Sequence, residues 1–250
     1  MRQLLAILLF LGPALAHADD IRVLGGSAVI PVMEVLLPRF ESQSGDKVVA
    51  DFDGAIGAMA KRIEGGEVAD VLIVSRQQLA ALERQGRIQK GSTVPLARLG
   101  VGVFVRRGAA IPNIGTVQAF KETMRAARSI GYNDPAAGAP VGLYLLDLFQ
   151  RLGIADEMSA KTVVFKQRSE RFAPVARGEV EIGFNQVSEI LVAPGVDLVG
   201  PLPADIQNYT EFAGGIVAAG RSPQAAGRFL AFLTTAEARA LMMSKGFTIP

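Results

Sequence analysis

The sequence has no cysteine, and its single histidine, His17, lies in the first eighteen residues. Without cysteine there is neither a disulfide framework nor a thiolate nucleophile. The charges nearly cancel, 26 Lys and Arg against 24 Asp and Glu. The basic stripe that marks a nucleic-acid binder is therefore missing, and no nucleic-acid partner is expected. Low-complexity tracts are missing too, and 50% of the residues are apolar, which excludes a disordered chain. The N-terminal apolar run, Leu4 to Leu11, is too short for a bilayer, which takes about 20 residues. With 250 residues, the chain can build one large domain or two lobes with cores of their own.

What is present begins with an address. Residues 1–18 read MRQLLAILLFLGPALAHA, in which Arg2 precedes the apolar run and Ala16-His17-Ala18 forms a small-x-small cleavage site. The pattern predicts a signal peptide cleaved after about Ala18 and an exported protein. His17 leaves with it, so the mature chain has no His and no Cys. Ser-His-Asp and Cys-His machinery are then excluded, as are metal sites built on imidazole or thiolate. No metal and no cofactor is expected, and any proton transfer falls to Asp, Glu, Lys, Tyr or Arg.

The mature chain alternates short β-like runs with helical patterns. Strands are predicted at Ile21–Leu24, Lys47–Phe52, Asp70–Val74, Ser129–Tyr132, Thr162–Phe165, Glu181–Phe184 and Val196–Val199. Helices are predicted at Val29–Phe40, Ile56–Ile63, Gln77–Gln85, Val141–Leu152 and Glu170–Ala176, with two more at about 223–233 and 235–245. Thr234 and Glu237 have the spacing of a capping box. The alternation argues an α/β fold with largely parallel sheets. Two long extended runs, Arg98–Arg106 and Tyr209–Ala219, are the places where the chain would pass between lobes.

In open α/β sheets ligands sit beyond the carboxyl ends of strands, against helix N-termini. The segments there are Gly25-Gly26-Ser27, Asp53-Gly54-Ala55, Ser75-Arg76, Asn133-Asp134-Pro135 through Gly142, Arg168-Ser169-Glu170-Arg171 and Asn185-Gln186. Gly-Gly-Ser lets a backbone approach closely and offers a hydroxyl, or is a plain helix N-cap; it lacks the spacing of a dinucleotide fingerprint. Arg76, Arg168 and Arg171 can pair with a carboxylate or lie on a solvated face. Asp53 is a base or a cap, Asn185 and Gln186 are ligand-facing or turn-satisfying amides, and the Tyr209 phenol faces a cleft or closes a core edge.

Taken in order, Asp20-Ile21-Arg22-Val23-Leu24-Gly25-Gly26-Ser27, Phe52-Asp53-Gly54-Ala55-Ile56-Gly57-Ala58-Met59 and Gly66-Glu67-Val68-Ala69-Asp70-Val71-Leu72-Ile73 resemble the periplasmic molybdate-binding proteins of ABC importers. So do Asn133-Asp134-Pro135 with Pro140-Val141-Gly142-Leu143-Tyr144, Val175 to Gly183, and the ending Phe229 to Leu233 through Gly246-Phe247. The resemblance covers nearly the whole mature chain. It implies a type II periplasmic binding protein fold: two α/β lobes, two crossing strands and a ligand cleft between them. Lobe one would be 19–98 plus 212–250 and lobe two 99–211. It also implies a periplasmic location, a small anionic ligand, an ABC permease as partner, and a monomer.

Site residues carry over from the family unevenly. Its first-loop Ser matches Ser27 beside Gly26, its third-loop contact matches Ser75, its second-lobe backbone donor matches Val141, and its Tyr falls on Gln186. Arg76 stands where the family commonly has an acid. The usual Gly-Ser-Ser-Gly is here Asp53-Gly54-Ala55-Ile56-Gly57, so Gly54 and Ala55 could offer only backbone and one hydroxyl donor is gone. Losing a donor costs a buried oxyanion about 1–3 kcal/mol. Gaining Arg76 and the Gln186 amide instead favours an organic carboxylate or another oxyanion over molybdate. The first expectation is a solute-binding protein. The alternative is an enzyme on the same cleft, resembling aconitate isomerase, that moves an allylic proton between cis- and trans-aconitate, with Ser27, Asp53 and Tyr209 as candidate proton carriers.

Overall fold

The computed structural model describes residues 20–167 and 170–249; the N-terminal address and Arg168 lie outside the described residues. The chain opens with the expected alternation of strand and helix: β1 (Asp20–Gly25), α1 (Ile30–Ser44), β2 (Lys47–Asp51), α2 (Ile56–Glu64), β3 (Val71–Ser75) and α3 (Arg76–Arg84). The local reasons are visible. In β1, Ile21 and Val23 are buried between exposed Asp20 and Arg22, the period-two pattern of a strand with one face covered. In α1, Val32, Met33, Leu36 and Phe40 form the buried stripe, and Pro31 sits in the first turn where its missing N–H costs nothing. Gly45 ends the helix at φ +80°, a left-handed conformation that a Cβ would strain.

A 13-residue strand, β4 (Val94–Arg106), follows. Beyond it come α4 (Val117–Ala126), β5 (Ile130–Asn133), α5 (Pro140–Arg151), α6 (Ala155–Ser159) and β6 (Thr162–Phe165). Next are α7 (Ala173–Ala176), β7 (Ile182–Gln186), α8 (Val187–Val192), β8 (Val196–Pro201), β9 (Tyr209–Ile216), α9 (Pro223–Leu233) and α10 (Ala236–Ser244). Strand order is β2-β1-β3-β9-β4-β7-β5-β6, with β8 also on β4. The first half of β4, Val94 to Gly100, pairs with β9 in one sheet; Val101 to Val105 pair with β7 in the other. β4 is therefore a crossing strand, and β9 is the return. Gln207, just ahead of β9, clips the two together: its Oε1 accepts from the Val101 N–H at 2.9 Å and its Nε2 donates to the Val101 carbonyl at 3.0 Å.

The sheets are mixed rather than largely parallel. β1–β2, β1–β3, β5–β6 and β5–β7 are parallel, whereas β3–β9, β4–β9, β4–β7 and β4–β8 are antiparallel. Every antiparallel pairing involves a crossing strand, which enters its sheet against the direction of the βαβ units. Other expectations shift for local reasons. The helix expected at Glu170–Ala176 shrinks to α7, because Pro174 suits a first turn and not an interior. The cap of α10 is Thr235, accepting from the Ala238 N–H, while the Thr234 hydroxyl turns back onto the Ala231 carbonyl at 2.7 Å. Neither α4 nor α8 is anticipated by the apolar pattern.

The buried side chains form separate cores. One cluster, including Leu24, Leu36, Leu72 and Phe229, draws on residues 21–99 and 212–247. Two others, one around Phe120, Phe149 and Phe184 and one around Phe104 and Phe165, draw only on 101–206. Asp70, buried at the end of the β2–β3 connection, accepts from the N–H groups of Arg22, Arg221 and Ser222 at 2.6–2.8 Å, tying β1 to the segment before α9. Among the described residues no helix is long and apolar enough to cross a membrane.

Candidate ligand-binding site

Four helical segments begin at one small cavity between the lobes. Their N-caps are Gly26 (a 3-10 turn, Ser27–Val29), Ala55 (α2), Ala139 (α5) and Gln186 (α8). All four line a cavity of about 30 Å3, and none of the four carries a side-chain cap. Elsewhere Ser75, Thr116 and Thr235 cap α3, α4 and α10 with their hydroxyls, whereas α1, α6, α7 and α9 also start without a side-chain cap but with N-caps that do not line this cavity. A helix start leaves N–H groups without intrahelical partners and carries the positive end of the dipole. Without caps, those starts are open to an anion.

The expected residues divide into two groups. Gly26, Ser27, Gly54, Ala55, Val141, Arg171 and Gln186 all line the cavity. The Ser27 N–H donates to the Gly54 carbonyl at 2.9 Å, which joins the first loop to the second. Gly26 has a steric reason: a Cβ there would stand 2.3 Å from Ile56 Cγ2. Arg171 Nη1 reaches across from the other lobe and donates to Ser27 Oγ and, at 2.8 Å, to Glu189 Oε1. The Arg171 and Glu189 side chains are only 11% and 9% exposed. A buried pair of this kind is stable only as a unit, since removing one partner leaves a bare charge in low dielectric. The Gln186 amide is spent on the crossing strands: Nε2 donates to the carbonyls of Leu99 (3.2 Å) and Gly100 (3.3 Å), and Oε1 accepts from the Thr210 hydroxyl (3.0 Å).

Ser75, Arg76 and Tyr209 are not at this cavity. They line a larger hollow of about 630 Å3 that shares only Ile56 and Pro140 with it. The Ser75 hydroxyl is committed to α3 in a capping box with Gln78. Arg76 is exposed, with Glu211 at 3.9 Å, and the Arg98 guanidinium lies 5.4 Å over the Tyr209 ring. Ile56, which stands where the family resemblance expects a hydroxyl, and Pro140 line both spaces. Asp53 is exposed and lines neither space. The N-cap of α2 is Ala55, which has no side chain able to cap it.

One charged cavity residue escapes sequence reasoning. Glu189 sits in the first turn of α8, a six-residue helix too short to show a period. Asn133 and Asn185 end adjacent strands 52 positions apart in sequence, and Asn133 Nδ2 donates to Asn185 Oδ1 at 3.2 Å. Both stand in segments that the sequence places behind strands; what it does not show is that they pair. Among the described residues no cluster of three or more His, Cys, Asp or Glu could hold a metal ion. The chemistry on offer is anion capture by N–H groups and Arg171, with one carboxylate, Glu189, paired to that guanidinium.

Residues 21–248 match the family model described as bacterial extracellular solute-binding protein. The chain is 30% identical over 247 residues to the aconitate isomerase of a Pseudomonas species, covering 96% of this chain and 93% of that one. It is 24% identical over 176 residues to the molybdate-binding protein ModA of Azotobacter vinelandii, covering 70% and 68%. Among solved structures, the A. vinelandii periplasmic molybdate-binding protein superposes with a TM-score of 0.77 at 22% identity, over 92% of this chain and 99% of that one. The sulfate-binding protein SubI of Mycobacterium tuberculosis does so at 0.74 and 19%, over 92% and 86%.

Proposed function

This chain belongs to the bacterial extracellular solute-binding proteins, and from that premise we propose that it captures a small anion between its lobes and delivers it to an ABC importer. The observation that carries the reading is the convergence of four uncapped helix starts, two from each lobe, on one cavity that also holds Arg171. Lobe one is 19–98 plus 212–250 and lobe two 99–211, in keeping with cores that do not share residues. The site comprises Gly26, Ser27, Gly54, Ala55, Val141, Arg171 and Gln186 around the head group. Ser75, Arg76 and Tyr209 meet whatever part of the ligand extends into the outer hollow. The protein works as a periplasmic monomer after losing residues 1–18. Hinge motion admits the ligand, and closure buries it. A thermal-shift panel of oxyanions and di- and tricarboxylates tests this: at least one anion raises Tm and is recovered unchanged after long incubation. No shift with any of them would remove the reading.

A second reading is favoured by the 96% coverage at 30% identity to an aconitate isomerase. There the same cleft interconverts cis- and trans-aconitate by allylic proton transfer, Arg171 and Arg76 hold carboxylates, and the proton moves through Ser27, Tyr209 or Glu189. Chromatography of trans-aconitate incubated with the protein separates the readings. Turnover that Arg76→Ala abolishes selects the enzyme, and unchanged substrate selects the carrier.

A further inference from the structure

The cavity contains a hydrogen-bond pattern that no bare oxyanion completes. The Gln186 backbone N–H donates to Asn185 Oδ1 at 2.8 Å. A backbone N–H can only donate, so this bond fixes which end of the Asn185 amide is oxygen. Asn133 approaches the same oxygen at 3.2 Å and must therefore present its Nδ2. Two amide ends are left over: Asn185 Nδ2, a donor, and Asn133 Oδ1, an acceptor. Both are buried and have no partner among the described residues. Both residues line the cavity, and Asn185 is 1% exposed. Buried polar atoms are nearly always paired, so a leftover donor and a leftover acceptor on two residues of one cavity call for a ligand that has both complements.

Glu189 points the same way. Its carboxylate lines a cavity built otherwise for anions and shares Arg171 with Ser27. An oxyanion facing Asn133 Oδ1 and Glu189 brings oxygen lone pairs against oxygen lone pairs, which is repulsive unless a hydrogen lies between them.

Resting on the anion reading above, we propose that this site selects anions that carry their own hydroxyl donor beside the oxyanion, such as hydrogen phosphate or an α-hydroxy carboxylate. The oxyanion accepts from Asn185 Nδ2 and the helix starts, and the hydroxyl donates to Asn133 Oδ1. Fully deprotonated tetrahedral dianions without a donor, sulfate and molybdate among them, leave Asn133 Oδ1 unpaired and are rejected.

Matched pairs that differ in the hydroxyl test this by calorimetry on the mature chain: malate against succinate, citrate against tricarballylate, and phosphate against sulfate. The hydroxyl-bearing member of at least one pair is expected to bind about tenfold tighter or more. A preference within the phosphate pair identifies the hydrogen phosphate source; one within the carboxylate pairs identifies the hydroxy acid. In Asn133→Ala that ratio should fall to near one, because the hydroxyl-bearing member loses more affinity than its mate, whereas a purely structural role would weaken both members alike and keep the ratio. Equal affinities within every pair that binds, or a ratio that survives in Asn133→Ala, overturn the proposal and leave anion capture standing. If none of the six anions binds, the selection falls, and the wider thermal-shift panel decides anion capture separately.

Discussion

At the scale of single residues, the helix that starts at the cavity is anchored at its other end by charge. Arg62 on α2 makes two bonds to the Glu67 carboxylate, at 2.6 and 2.7 Å, and one to Asp51 at 2.8 Å. The Asp53 backbone N–H and then Arg62 hold the Asp51 carboxyl below its ordinary value of 3.8. Arg62 does the same for Glu67 below 4.5. A carboxyl depressed by folding contributes stability that is complete above its unfolded value and is lost as pH falls through the folded one. The urea midpoint should therefore drop as pH is lowered through and below 4.5, and Arg62→Gln should flatten that drop. An unchanged acid slope in the variant would show that these pairs do not couple folding to protons. The same scale shows what sequence can and cannot reveal. Ser27 and Arg171 are legible because polar residues behind apolar strands stand out. The pairing of Asn133 with Asn185 is not legible, because a bond across 52 positions depends on strand order rather than on either residue. Arg76 looks ligand-facing in the sequence, but α3 turns it to the outer hollow, because Ser75 starts that helix as its cap.

At the scale of elements, the bare start of α2 marks a trade between fold and site. Ala55→Asp would supply the missing cap and should stabilise the ligand-free protein by about 1 kcal/mol. The same carboxylate would occupy the N–H groups that face the cavity, so the Tm rise produced by any anion ligand should vanish. Urea melts of the free protein check the first half and thermal melts with and without ligand the second; retained binding would remove α2 from the site. Element positions were largely readable from apolar period, with β6 expected at the residues it occupies. The departures have physical causes. Pro174 cuts a helix short, paired threonines displace a cap by one position, and the apolar run in α8 is shorter than two turns.

At the scale of the whole molecule, the lobes meet through backbone. Gly57, in the first turn of α2, lies against Gly138 before α5; a Cβ on Gly57 would stand 2.9 Å from Gly138 Cα. The Ser188 hydroxyl donates to the Ala28 carbonyl at 2.8 Å, and Arg171 reaches Ser27, both across the cleft. Gly57→Ala suits a helix and should leave the fold at least as stable. It should hold the lobes apart, with a larger radius of gyration in solution scattering and faster ligand release. Identical scattering and release rates would mean that this contact does not set closure. Two lobes joined by extended runs follow from the sequence, but sheet direction does not, since nothing in the composition of β4 or β9 says which way a neighbour runs.

The return strand has a consequence for how the molecule comes into being. β3 finds its outer partner in β9, with Ser75 opposite Phe212, and the core beneath it needs Phe229 and Leu233. A chain that leaves a ribosome or a translocation pore N-terminus first therefore delivers β1 to β3 with one edge bare. Residues 101–206 can gather their own core at once, but the earlier-made half must wait for the tail. Until the last forty residues arrive, that edge is available to chaperones and proteases, and truncation near the C-terminus should damage the N-terminal sheet before it touches the middle of the chain.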